Sequence, residues 1–210
     1  MSGVISGYTS LQTSVGDWLA KSNLTSFIPA FIQNFEERFY RQPRNYGRWM
    51  ENSALSVSFS STATIPTDFL ALRVAYLNGQ TGQPLINSSL EQLLAKYPRA
   101  AASGIPAWIA ANGTSFVFGP APNGTFTLNG TYYAKPVLLR NFASDAAAHF
   151  LIVNAPDLLL YGALLEAVPF LKDDNRIPIW QQFYNTALND YRDLMKAQKF
   201  SGGAMQVLVA

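Results

Sequence analysis

The sequence contains no cysteine and a single histidine, His149, among its 210 residues. The absence of cysteine excludes disulfide bridges, zinc–thiolate sites and thiol nucleophiles, and one histidine excludes sites built from several histidines. Charge is also scarce, since only 13% of the residues are Asp, Glu, Lys or Arg, against about 25% in an average soluble domain. The formal net charge of +2 is too small to indicate a nucleic-acid or membrane partner by itself.

No apolar run reaches the roughly 18 residues that a membrane span requires. The first ten residues lack the charged start and long apolar stretch of a signal peptide. The sequence therefore predicts a protein that is made inside the cell and has no membrane partner. Hydrophobic residues still make up 49% of the chain, alongside 14 glycines and 12 prolines. This composition predicts a packed core, much sheet and turn, and some surface buried in an assembly.

Residues 1–48 are predicted to form two antiparallel helices. The first ends near Lys21-Ser22-Asn23, and the second has Pro29 in its first turn and ends at Pro43. The break between them is short, which favours a helical hairpin. The apolar positions at helical spacing are Leu11, Val15, Trp18 and Leu19, then Phe27, Ile28, Phe31, Ile32, Phe35 and Phe39.

Residues 50–140 change to a strand-and-turn pattern and contain very few charges. Apolar residues alternate with serines from Leu55 to Phe59, a second strand is predicted from Phe69 to Leu77, and a short helix from Ser89 to Tyr97. A hairpin is predicted around a two-residue Asn112-Gly113 turn, because Asn-Gly is the strongest short hairpin signal. Asn123-Gly124 and Asn129-Gly130 are interpreted as further turns. We therefore predict an antiparallel β domain.

Residues 145–199 return to a helical pattern. Asn154 is predicted to cap a helix that begins near Pro156 and is apolar on nearly all sides, so this helix should be central. Asp173-Asp174-Asn175 is predicted to cap a long helix with its stripe from Trp180 to Met195, formed by Trp180, Phe183, Tyr184, Ala187, Leu188, Tyr191, Leu194 and Met195.

The predicted fold class is α+β. Two N-terminal and two C-terminal helices, residues 1–48 and 145–199, should pack as an antiparallel bundle, because neither half can bury its own stripe alone. Residues 50–140 form an inserted antiparallel β domain in this interpretation, and residues 200–210 form an extended C-terminal tail.

Candidate catalytic residues are few, and no catalytic or metal site and no cofactor is predicted. His149 is interpreted as a structural histidine at a helix end, and Asp173-Asp174 as a helix cap and not an acid–base pair or cation site. Glu166 has no evident partner. No nucleotide-binding, serine-hydrolase or zinc-protease motif occurs in the sequence.

Four arginines cluster at the end of the second predicted helix, and two interpretations of them stay open. They could contact phosphate groups or a protein partner, or they could simply complement the dipole of a helix C-terminus. Four positive charges exceed what a helix end requires. The four residues are Arg38, Arg41, Arg44 and Arg48.

The C-terminal segment is apolar and uncharged after a Gly-Gly pair, which makes it costly to leave in water. It must either fold back on its own domain or dock on another chain, and we favour docking on another chain. The residues that carry this prediction are Gly202, Gly203, Met205, Val207, Leu208 and Val209.

Four segments, in this order, resemble tailed-bacteriophage head–tail adaptor (connector) proteins. They are LQTSVGDWLAKSNLTSFIPAFIQNFEERFYRQPR, IPTDFLALRVAYLNG, GIPAWIAANGTSFVFGPAPNGTFTLNGTYYAKPVLL and APDLLLYGALLEAVPFLKDDNRIPIWQQFYNTAL. The resemblance implies a structural, non-enzymatic virion protein at the head–tail junction, made in the host cytoplasm. It implies a homo-oligomeric ring of twelve copies beneath the portal protein, with a helical bundle, a β insertion and a C-terminal segment that reaches along the portal. Such a ring extends the channel for passing double-stranded DNA, without sequence specificity, and carries the tail nozzle and fibre proteins.

A different class of function is a carbohydrate-binding or peptidoglycan-degrading tail module. It would use Trp108, Tyr132 and Tyr133 to stack on sugars, and Glu166 or Asp174 as an acid. Aromatic residues on strands more often belong to the sheet core, and no paired carboxylates accompany them, so this is the alternative hypothesis.

Overall fold

The computed structural model describes residues 4–79, 83–98, 103–171 and 174–200. The fold is mixed α+β and divides into two compact units, of which one comprises Met1–Trp49 with Pro136–Ala210 and the other Met50–Lys135. We call them the helical unit and the inserted unit. The α-helices in the described ranges are α1 (Tyr8–Leu19), α2 (Ile28–Tyr40), α3 (Leu90–Lys96), α4 (Phe150–Asn154), α5 (Pro156–Glu166) and α6 (Ile177–Phe200). The strands are β1 (Glu51–Phe59), β2 (Ala63–Thr64), β3 (Phe69–Leu77), β4 (Ile86–Asn87), β5 (Trp108–Asn112), β6 (Ser115–Gly119) and β7 (Phe126–Ala134).

Helix α5 is the centre of the helical unit, because α1, α2 and α6 all pack against it. The prediction that this helix is central is confirmed, since it is apolar on nearly every side and therefore has no face suited to water. The fully buried residues of α5 are Leu158, Leu159, Ala163 and Leu164.

Helices α1 and α2 bury the predicted stripes, with two differences at their margins. Trp18 is only half-buried, and Phe27 lies before α2 with 45% of its surface exposed. Helix α2 also buries two polar groups on the same face as its phenylalanines, namely Glu36 and the Tyr40 side chain.

The predicted helix start near Pro156 is confirmed, but the predicted cap at Asn154 is wrong. Asn154 is the last residue of α4, and its side-chain amide donates to the carbonyl of Phe150 at 3.0 Å. Helix α5 begins at Pro156 without a side-chain cap, as proline at the first position permits. The short α4 was not predicted, because five residues are too few to show helical periodicity.

Helix α6 buries only some of the residues of its predicted apolar stripe. Trp180, Ala187, Tyr191 and Met195 are buried. Phe183 is 40% exposed and Leu194 is 36% exposed, because both lie on a flank of the helix beside the buried face. Asp174 accepts a hydrogen bond from the Arg176 N–H ahead of α6 at 3.0 Å, and Asp173 is outside the described residues.

The inserted unit contains two sheets. One has the order β1-β7-β3 and is antiparallel throughout, and the other has the order β2-β6-β5-β4. The prediction of purely antiparallel pairing is wrong for β4 and β5, which pair in parallel over two residues. The core between the sheets contains Leu55, Phe59, Ala75, Leu77, Ile109, Phe116, Phe118 and Leu128.

Two of the predicted Asn-Gly turns need correction. The hairpin between β5 and β6 is confirmed, but Asn112 pairs with Ser115, so Gly113 and Thr114 form the loop, with Gly113 at a φ of +60°. Asn129-Gly130 is no turn, because it lies in the middle of β7. A Cβ on Gly130 would collide with the carbonyl oxygen of Val74. Glycine is therefore needed there for the close approach of a neighbouring strand and not for a turn.

Candidate interaction surfaces

The four arginines of the predicted basic patch do not behave alike. Arg38 forms an ion pair with Glu166, with 2.8 Å between Nη2 and Oε1. Arg41 donates from Nε to the carbonyl of Glu37 at 3.1 Å, as expected for a helix end. Arg44 and Arg48 follow in the chain and are exposed. We call Arg41, Arg44 and Arg48 the arginine segment.

The arginine segment is a local excess of positive charge. Within the part of the chain that the structure describes, none of its three guanidinium groups is within ion-pair distance of a carboxylate, whereas Arg38 is neutralised by Glu166. Capping of α2 needs Arg41 alone. The other two charges therefore favour contact with an external negative group.

Three aromatic rings line a half-exposed surface where α1 and α6 flank α5. The Tyr161 ring lies 5.6 Å from that of Trp18 on α1 and 5.2 Å from that of Phe183 on α6, measured between ring centroids. Ile179, one turn before Phe183, is half exposed. We call these four residues the aromatic face. Large aromatic side chains held at a surface are typical of protein interfaces.

A second aromatic cluster lies near the start of α2. Phe27 and Phe170 have ring centroids 5.6 Å apart and expose 45% and 50% of their surface, over the buried ring of Phe31. The helical unit therefore presents two separate apolar patches, as a subunit with more than one neighbour would.

The chain after α2 is fastened to α6 by a buried polar network. The side-chain oxygen of Asn45 accepts from Nε and Nη2 of Arg192 at 3.1 and 3.0 Å. The Asn45 carbonyl accepts from the Tyr191 hydroxyl at 2.7 Å, and that hydroxyl accepts from the Trp49 indole at 3.0 Å. These contacts fix the segment that precedes the inserted unit.

The segment that follows the inserted unit is held by α1 and α2. The Glu36 carboxylate accepts from the Leu139 N–H at 3.0 Å. The Asp145 carboxylate accepts from the N–H and the hydroxyl of Thr9 at 3.0 and 2.8 Å, where the first turn of α1 favours negative charge. Sequence reasoning missed Glu36 and Asn45, and the one available signal was a glutamate on the apolar stripe of α2.

Two buried titratable groups of the helical unit have shifted pKa values. Burial raises the pKa of Glu36 to about 7, although hydrogen bonds from Leu139 and Tyr40 oppose that rise. Burial also lowers the pKa of His149 to about 4. His149 caps α4, because its Nδ1 accepts from the Leu151 N–H at 3.3 Å. The predicted structural role of His149 is therefore confirmed.

The aromatic residues proposed to stack on sugars are buried, contact other residues or lie on different surfaces. The Tyr132 side chain is buried, and its hydroxyl donates to Asp68 at 2.9 Å. Trp108 lies in the other sheet, with the Lys96 ammonium 4.2 Å from its ring centroid. Tyr133 is adjacent to Tyr132 on β7 and therefore points to the opposite side of the sheet. These three residues do not form one stacking surface.

The two candidate acids also have ionic partners. Hydrogen bonds from Arg176 lower the pKa of Asp174 to about 2, which keeps this carboxylate ionised at neutral pH and unsuited to donate a proton. Glu166 is paired with Arg38. Both residues belong to the helical unit, whereas the proposed sugar-stacking aromatics belong to the inserted unit.

Among the described residues, no group of three or more His, Cys, Asp or Glu side chains is arranged to hold a metal ion. In the same part of the chain, no single helix has the length and hydropathy of a membrane span. One strongly bent pair, Ser144–Asn154 with Pro156–Phe170, meets that test only when its halves are joined.

Comparison with known families gives a match over nearly the whole chain. The family model described as SU10 adaptor protein matches residues 6–206. The chain belongs to the SU10 adaptor protein family. This is a family of bacteriophage head–tail adaptors, so the adaptor is a structural virion component at the head–tail junction. No curated protein matches the adaptor significantly.

The match includes both units and the arginine segment of the adaptor. It ends at residue 206 and so includes the beginning of the predicted tail. The tail residues Gly202, Gly203, Met205, Val207, Leu208 and Val209 lie outside the described residues.

Proposed function

We propose that the adaptor docks on the portal as a homo-oligomeric ring of twelve copies, extends the DNA channel and carries the tail nozzle and fibre proteins. The observation that carries this proposal is the family match over residues 6–206. The exposed aromatic patches of the helical unit support it, because a ring subunit must bury surface against its neighbours.

The inserted unit is proposed to contact tail proteins. On the β1-β7-β3 sheet, Val74 and Tyr76 are exposed on β3, and Ser56 and Ser58 are exposed on β1. This largely uncharged surface suits a protein partner better than the phosphates of DNA. We propose that DNA passing through the ring is contacted only at its phosphate backbone, by charged side chains of the ring, and that its base sequence is not read.

The proposal is tested by mass photometry of the adaptor alone and mixed with its cognate portal ring. We expect the portal particle to gain mass equivalent to about twelve adaptor chains, because a closed ring must match the symmetry of its platform. An adaptor that stays at its own mass in the presence of the portal would contradict the proposal.

The tail residues are proposed to bind the portal. Burial of Val, Leu or Met side chains contributes about 1.5–3 kcal/mol each. A chain ending at Lys199 is therefore expected to lose at least tenfold in portal affinity without loss of folding stability. Titration of labelled portal with both chains measures this.

A matched pair of full-length variants separates the apolar side chains from the chain length. Serine at positions 205, 207, 208 and 209 should weaken docking as the truncation does, whereas serine at Gly202 and Gly203 should not. Normal docking of the truncated chain would show that the tail has no part in portal binding.

A further inference from the structure

We propose that the arginine segment of one adaptor docks on the aromatic face of a second copy, so that the ring closes through unlike surfaces. This inference rests on the proposed function, because it names the contact between neighbours in that ring. Closed rings of this kind need two different patches on every subunit, and the helical unit carries both.

The aromatic face has the chemistry of an interface centre. The Tyr161 ring contacts both Trp18 and Phe183, on two different helices, so these side chains are already held in place before a partner binds. Pre-ordered aromatic side chains lose little conformational entropy on binding, and Trp and Tyr are the residues that most often dominate binding energy.

Two acidic side chains lie beside the aromatic face, and a third neighbours Trp18 in the chain. Asp157 lies one turn before Tyr161 on α5, close enough to influence the Tyr161 hydroxyl. Asp190 lies two turns after Phe183 on α6, on the same flank of that helix. Asp17 precedes Trp18 on α1. All three are exposed and, among the described residues, none is in an ion pair.

The arginine segment complements this surface in charge. Its guanidinium groups are opposite in charge to Asp157 and Asp190, and guanidinium also stacks favourably on aromatic rings. Arginine, tyrosine and tryptophan are together enriched at the centre of interfaces, where lysine and glutamate are depleted. One docking event would therefore cover the aromatic face and neutralise the unpaired arginines.

The geometry keeps Asp190 from meeting the arginine segment of its own chain. Arg192 on α6 bonds to Asn45, which belongs to the stretch that carries the arginines. Asp190 is two residues earlier, which is about 200° round the helix. Asp190 thus faces away from the arginine segment of its own chain and is open to a cation of another molecule.

Asp157 and Asp190 lie at the end of the helical unit that carries the arginine segment, since Asp190 is two residues before Arg192, which bonds to Asn45. Trp18 lies toward the opposite end, where Arg176 ahead of α6 donates to its carbonyl. Helices α2 and α5 run antiparallel, because Phe31 near the start of α2 contacts Phe170 just after α5. Arg41, at the end of α2, is therefore level with Asp157, at the start of α5.

DNA is the other negative partner that arginines could meet. Phosphate contacts would satisfy the arginine segment but would leave the aromatic face and its carboxylates uncovered. The second copy is favoured because it accounts for both surfaces together.

Site-directed cross-linking tests the contact, and the cysteine-free sequence makes it specific. Thr186→Cys lies between Phe183 and Asp190 on the aromatic face and Arg44→Cys lies in the arginine segment, and the two variants carry different tags. With a short bis-maleimide on the portal-bound assembly, we expect a 186–44 cross-link between chains and no 186–186 or 44–44 product. Gln181→Cys, exposed about 140° round the same helix, is the control and should not link to position 44.

Charge exchange provides a second test. Arg41→Glu with Arg44→Glu, or Asp157→Arg with Asp190→Arg, should each weaken ring formation at least tenfold. The chain with all four changes presents reversed but matching surfaces, so it should recover to within about threefold of the original. Recovery of this kind also excludes misfolding as the cause of the loss.

The outcomes separate the contact from the ring itself. A complete ring on the portal without the 186–44 cross-link overturns the inference and leaves the proposed function standing. The cross-link in concentrated free adaptor, with no addition to the portal, supports the inference and contradicts the proposed function. Loss of salt-dependent DNA retention in the arginine double variant, with no cross-link and no recovery on charge exchange, assigns the segment to DNA and overturns the inference.

Discussion

The variant Glu36→Gln is expected to have an unfolding free energy that rises with pH between 4.5 and 6.5, where that of the original chain stays nearly constant. Glu36 is buried on α2, and burial raises its pKa in the folded state from 4.5 to about 7. The folded state therefore binds a proton that the unfolded state has released. The stability from this group is complete below pH 4.5 and is lost as pH rises through 7.

His149 produces the opposite dependence in the same window. Burial lowers its folded pKa from 6.5 to about 4. The unfolded state then binds the additional proton, so stability from His149 is complete above pH 6.5 and is lost as pH falls toward 4. Each group alone changes the free energy by about 1.4 kcal/mol per pH unit. Between pH 4.5 and 6.5 the two contributions have opposite signs and cancel.

Each single variant leaves only one of the two pH dependences of the unfolding free energy. Glu36→Gln keeps an oxygen for the Leu139 N–H but cannot ionise, so only the rising His149 dependence remains, about 2.7 kcal/mol across the window. His149→Asn keeps a capping oxygen for α4 and leaves the falling Glu36 dependence. The double variant should be nearly constant again.

Urea unfolding of the four chains at half-unit pH steps measures these slopes. Differences between chains remove the contribution of every other titrating group. Asp174, whose pKa is lowered to about 2, acts below this window. Parallel curves for all four chains would show that Glu36 and His149 keep ordinary pKa values in the folded protein.

The helices were predictable because their signal is local. The stripe from Leu11 to Leu19 and the all-apolar run after Pro156 each reflect one helix packed in one environment, and periodicity reports that directly. The flank of α6 shows the limit of that signal. Phe183 and Leu194 fit the helical period of a buried stripe, yet they remain exposed, because the neighbours that flank α6 are set by the tertiary fold.

The turns were less predictable because one dipeptide has several physical uses. Gly113 serves a left-handed turn position, whereas Gly130 serves close packing inside β7, and both follow asparagine. Propensity cannot distinguish these roles, since the second depends on β3, more than fifty residues earlier in the chain.

The site residues that the sequence did not indicate are buried polar groups with remote partners. Glu36 meets the N–H of Leu139, and Asn45 meets Arg192. The residues near Glu36 and Asn45 in the sequence do not indicate which remote residue each one contacts. The exposed arginines, by contrast, could be identified from the sequence, because they lie close together at the end of one predicted helix.

Asn45→Ala is expected to be among the most destabilising substitutions in the helical unit. The Asn45 side chain is buried, donates to the Phe39 carbonyl at 3.1 Å and accepts both hydrogen bonds from Arg192. Alanine would leave a partly buried guanidinium without its acceptor, and the Phe39 carbonyl would lose one donor and keep the Gln42 N–H. Unsatisfied groups of this kind cost about 1–3 kcal/mol each, and more when charged. We expect a loss of about 3 kcal/mol.

Two control variants test whether the loss of stability comes from the hydrogen bonds of Asn45. Asn34→Ala removes the same side chain from an exposed position on α2 and should change stability by less than about 0.5 kcal/mol. Asn45→Asp keeps acceptors for Arg192 but loses the donor to Phe39, so it should fall between the two. Denaturant unfolding of all three measures the order. If Asn45→Ala were as mild as Asn34→Ala, the network would not hold the segment before the inserted unit. The proposed ring contact through Arg44 would then lose its rigid support, because Asn45 is the next residue.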